Sequence, residues 1–150
     1  MDCGHLCVAQ LSLPEQMIVW GMRQWASGRE SWPRVEHEFR RVCRGASGLI
    51  AARALGDMIG LLAASARRPL QCCSLDRSEV SSDEAAIVAL VAASQANDRR
   101  SAERGARDLM PECMAPVLLE SVAVLGAALA AAGRELPPRY AQRPAGTTLH

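Results

Sequence analysis

From Pro116 to Ala132 the chain sets only Glu120 and Ser121 among otherwise apolar residues, and no other stretch constrains the fold as tightly. A helix that is apolar on nearly every side must be covered by neighbouring helices or by lipid. The segment is shorter than the roughly 20 apolar residues a membrane crossing takes, and it carries a glutamate. It is therefore expected at the centre of a bundle, where Gly126 and Ala130 would let a neighbour cross closely. Aromatics make up 3% of the 150 residues against 49% hydrophobic residues overall, so the core must be built from Ala, Leu, Val, Ile and Met. Alanine has the highest intrinsic helix propensity, and small side chains suit helix-on-helix packing. The expectation is an all-α, single-domain bundle of five to six helices with the apolar C-terminal helix at its centre.

Helix starts are written plainly. Ser12-Leu13-Pro14-Glu15 and Ser81-Ser82-Asp83-Glu84 both have the capping-box pattern, and Ser31-Trp32-Pro33 pairs a cap with a first-turn proline. After the first start, Ile18, Met22 and Trp25 share a face that Met17 and Trp20 widen. After Ser31, Val35, Phe39, Val42 and Cys43 recur at helical spacing, opposite a charged face on which Arg34 and Glu38, and Glu36 and Arg40, are spaced i,i+4. A third helix is expected from about 47 to 66, with Leu49, Ala52, Leu55, Ile59 and Leu62 buried. Residues 67–81 lack a period and form a long connection, of the kind that is often functional. The organisation expected is an arm over 1–11, a helical domain over 12–133 containing the 67–81 loop, and a flexible tail over 134–150.

Charge and chemistry exclude several classes. The net charge of +1 gives no global field for nucleic acid or anionic membrane. All cations are arginine, which removes P-loop lysine and Schiff-base chemistry. The glycines of Arg44–Ile50 do not follow a buried strand, so they do not form a dinucleotide-binding turn. His37 sits between Glu36 and Glu38 on a charged helix face, and no nucleophile, base and orienting acid converge in the sequence. The first residues lack a secretory pattern, which predicts a cytoplasmic protein without a membrane anchor.

Three groups of residues remain as candidate sites. Cys3, His5 and Cys7, joined by Cys72 or Cys73 if the arm meets the central loop, would supply the thiolate and imidazole ligands of zinc or another thiolate-bound metal. Arg67, Arg68 and Arg77 beside Cys72 and Cys73 would lower a thiol pKa and favour redox chemistry. Trp20, Trp25 and Trp32 concentrate aromatic area near the N-terminus, as binding hot spots do. Arg100, Arg104 and Arg107 share one face of a short helix and would meet an acidic partner or, less readily, nucleic acid. The resulting expectation is a bacterial regulatory or adaptor-type protein, non-catalytic and without a cofactor, that binds a protein partner and could form a homodimer. The alternatives are a cysteine-based redox or metal sensor and, third, a DNA-binding regulator.

Overall fold

The computed structural model of the protein describes residues 6–137. These described residues form six α-helices: α1 (Leu13–Ser27), α2 (Trp32–Val42), α3 (Ala46–Ser65), α4 (Ser82–Gln95), α5 (Arg99–Leu109) and α6 (Ala115–Ala131). Both capping boxes form. Ser12 Oγ accepts from the Glu15 amide while Glu15 bonds the Ser12 N–H at 2.7 Å, and Ser81 and Glu84 repeat the arrangement at the head of α4. The end of α6 is set by Gly133 at φ 76°. The Gly133 N–H reaches Ala130 O and the Arg134 N–H reaches Leu129 O, which closes the last turn with a left-handed residue.

The core is aliphatic, as the composition requires. Ala52, Leu55, Met58, Ile59 and Leu62 of α3 and Leu118, Val122, Leu125 and Leu129 of α6 are buried, and these two helices share the most extensive contact in the molecule. α1 and α2 pack on the other side of α3, and α4 and α5 pack on α6. Gly126 allows the close crossing of α6 with α4: a Cβ there would lie 3.1 Å from Gln95 Cγ, and Gln95 Nε2 donates to Gly126 O at 2.9 Å.

α6 packs against α3, α4 and α5 but is not enclosed. Val117, Ala123, Val124 and Ala127 remain exposed, because a bundle this small cannot surround any one helix. The apolar stretch is also longer than the sequence pattern suggests. A 3₁₀ turn (Glu112–Met114) runs into α6, and the combined 112–131 stretch has the length and hydropathy of a membrane span, as does α3. In the fold their apolar faces turn toward each other. On α2, Glu38 pairs with Arg41 and Glu36 with Arg53 of α3, rather than with the partners suggested by i,i+4 spacing.

Candidate functional site

The chain between α3 and α4 has no helix, yet it is held at many points. Arg23 projects from the middle of α1 into the core, only 4% exposed, and meets the fully buried Glu84 of α4 in a two-pronged pair: Nε to Oε2 at 2.8 Å and Nη2 to Oε1 at 2.9 Å. Two further guanidinium protons go to the carbonyls of Arg77 and Glu79 at 2.8 and 2.7 Å. Glu84 also accepts from the Cys73 N–H at 3.0 Å. A buried charge is tolerated when it is paired and well hydrogen-bonded, and here the guanidinium makes four hydrogen bonds. The Glu84 carboxylate raises the Arg23 pKa above its ordinary value, so the guanidinium keeps its charge.

One residue earlier, Asp83 takes both prongs of Arg68 at 2.7 and 2.9 Å and the Gln71 N–H at 2.7 Å. Together, two adjacent carboxylates in the first turn of α4 fasten residues 66–81 as a strap across the bundle. The arm joins it. Cys7 and Glu79 face each other in an antiparallel bridge, with Val8 N to Ser78 O at 2.7 Å and Val80 N to Leu6 O at 2.9 Å.

The fastened strap leaves a groove between itself, α1 and α3, with a cavity of about 480 Å³. Met22, Trp25 and Ala26 line one side, Ile59, Leu62 and Ala63 the other, and Pro69, Leu70 and Cys72 of the strap close it. Arg67 and Arg68 stand at its margin. Such a cavity, apolar with a few convergent polar groups, is the form that binding sites take. The far side of Trp25 belongs to a second cavity of about 400 Å³ with Arg29, Trp32, Glu36 and Asp57, where the Arg29 guanidinium lies 5.1 Å from the Trp25 ring centroid. A larger cavity of about 640 Å³, lined by Trp20, Leu13, Met17, Glu38, Arg41 and Arg134, is a charged cleft whose Glu38 and Arg41 pair with each other.

The structure therefore divides the tryptophans. Trp25 and Trp32 share a surface, whereas Trp20 lines a different cleft. Five residues along a helix amount to about 140° of rotation, which turns Trp20 and Trp25 away from each other. Arg100, Arg104 and Arg107 lie on one exposed face of α5, as their spacing predicts, and the Arg107 carbonyl accepts from Arg67 Nε at 2.9 Å.

The thiols separate as well. Cys43 is buried behind α2, and Cys113 is exposed in the turn before α6. Cys72 and Cys73 are half-buried beside the Arg23–Glu84 pair, and Cys7 is exposed on the arm. Burial, reinforced by the Glu84 and Asp83 carboxylates, pushes the Cys72 pKa up to about 11. The expectation of a lowered value at Cys72 is thus reversed, because Arg68 is engaged by Asp83 and Arg77 by Glu79. No group of three or more His, Cys, Asp or Glu among the described residues could hold a metal ion. Cys3 and His5 lie outside the described residues.

Sequence reasoning missed Arg23 and the second role of Glu84. Glu84 already had a local explanation as a capping residue, and Arg23 stood as the single charged residue between Glu15 and Arg29. That isolation was the available signal. The chain matches no protein-family model, no curated protein and no solved structure.

Proposed function

We propose that this is a non-catalytic regulatory or adaptor-type protein of the bacterial cytoplasm, which works by docking an apolar segment of a protein partner into the groove between α1, α3 and the strap. The observation that carries this reading is the groove itself: open, apolar, walled by Trp25 and preformed by two ion pairs that fix the strap. Preformed apolar sites bind at lower entropic cost than sites that must be assembled. Half-buried aromatic anchors beside arginines, such as Trp25 here, are also the composition of interface hot spots. The test uses the full chain as bait in its native host, compared with an Ala26→Gln, Ala63→Gln variant that fills the groove from two exposed positions. A stoichiometric partner retained by the parent and lost by the variant is expected. Retention by both, or capture by neither, refutes the reading.

A second reading rests on the pairing of the arm with the strap, which places Cys7 on the same loop assembly as Cys72 and Cys73. In this reading the assembly senses oxidant or metal, with Cys3 and His5 as further ligands. Burial holds the Cys72 thiol well above the ordinary range, at about 11, so little of it is thiolate near neutral pH and the closed strap keeps it unreactive. Mass spectrometry after graded oxidation, and metal analysis of the native protein, decide it. A disulfide or bound metal involving Cys72 or Cys73 supports the sensor, and its absence under both treatments ends it.

A further inference from the structure

The groove does not end in neutral surface. Arg67 lies at its margin, and its main-chain N–H and side-chain Nε both reach the last turn of α5, to Leu109 O and Arg107 O at 2.9 Å each. From Arg107 the exposed guanidinium row continues through Arg104 to Arg100. On an α-helix these three positions fall within about 60° of one another. They lie opposite the buried Ala102, Ala106 and Leu109, and so point straight away from the core. The row extends for roughly 10 Å. Glu103 and Asp108 flank it rather than interrupt it, and the one ion pair between row and flank, Arg107 to Glu103, is 3.7 Å long and half exposed on both sides. A pair of that kind is weak and readily exchanged. At the margin, Arg68 is already bound to Asp83, which leaves Arg67 as the cation that links groove to row.

We infer that the occupant of the groove is an amphipathic protein segment whose apolar face fills the groove and whose acidic continuation runs over Arg67 and along Arg107, Arg104 and Arg100. The inference rests on the groove reading and adds the charge, direction and length of what binds. Continuity is the argument. The apolar floor and the cationic row are joined through Arg67, so a ligand that used one and stopped short of the other would leave a complementary surface uncovered. Nucleic acid suits the row but has nothing to place between Trp25 and Leu62, where no second ring stands ready for a base to stack on.

The test titrates the full-length protein with two synthetic peptides, read by the change in tryptophan emission, to which Trp25 in the groove wall contributes. Both carry leucines at i, i+3, i+4 and i+7. One continues as a run of glutamates and the other as a run of glutamines. The glutamate peptide should bind about tenfold more tightly at low salt, and the advantage should vanish near 0.5 M salt, where charges are screened within about 4 Å. An Arg100→Glu, Arg104→Glu variant should abolish that advantage without changing the glutamine peptide's affinity, whereas Ala63→Gln should weaken both. Equal binding of the two peptides overturns the inference and leaves the groove reading standing. Binding of neither overturns both. Duplex DNA bound through Arg100 and Arg104, and held equally well by Ala63→Gln, would assign the row to nucleic acid and overturn the inference.

Discussion

Glu84 serves two structures at once. Its carboxylate completes the capping box of α4 through Ser81 and neutralises Arg23 in the core, so its loss weakens the N-terminal cap of α4 and strands a buried cation. Glu84→Gln should therefore destabilise the protein by about 3–5 kcal/mol in urea unfolding, far more than a cap alone is worth. A loss of about 1 kcal/mol would mean that the pair is not buried as described. Asp83 gives a pH signature. Arg68, with help from the Gln71 N–H, holds its carboxyl below the ordinary range. A folded value below the unfolded one means that the stabilisation is complete above about pH 4 and lost as pH falls through the folded value. Asp83→Asn should flatten the acid limb of stability measured from pH 5 to 2. Some slope should persist from Glu38, Asp76 and Asp98, whose carboxyls are lowered by Arg41, Ser74 and Ser101.

Among the elements, the turn from α2 into α3 is the least forgiving. A Cβ on Gly48 would sit 2.6 Å from Phe39 O, 2.7 Å from Cys43 O and 2.9 Å from Arg40 Cα, all of them backbone that cannot rotate aside. Gly48→Ala should cost about 1–3 kcal/mol and lower the melting temperature, whereas at Gly21 the obstacle is the movable Leu55 side chain. A Gly48→Ala variant as stable as the parent would show that the two helices separate easily. The helices themselves were legible because both capping boxes, the Ser31-Trp32-Pro33 start and the periodicity of Leu55, Ile59 and Leu62 act over short distances. The strap was legible only as an aperiodic stretch. What orders it comes from Arg23, 61 residues from Glu84, and no local pattern encodes that separation. Of the groove, the sequence disclosed Trp25, and of the row along α5, Arg100, Arg104 and Arg107. It could not disclose that Arg67 joins them.

At the scale of the whole molecule, the Arg23–Glu84 pair ties α1, α4 and the strap into one unit, and α3 with α6 ties the two sides of the bundle together. Thermal unfolding followed by tryptophan emission, which reports α1 and α2, should coincide with unfolding followed by far-ultraviolet circular dichroism. Transitions that separate would show that the α1–α2 layer melts by itself. The strap has a less obvious consequence. Segments without helix or strand ordinarily exchange their amide protons with solvent freely, because water is the only partner they have. Here the amides of Gln71 and Cys73 are bonded to Asp83 and Glu84, and those of Val8 and Val80 to carbonyls across the arm and strap. Deuterium should enter these four positions as slowly as it enters a helix, while Ser74, Leu75 and Ser78 beside them exchange at once, so that a stretch that looks like coil carries the exchange record of a core element.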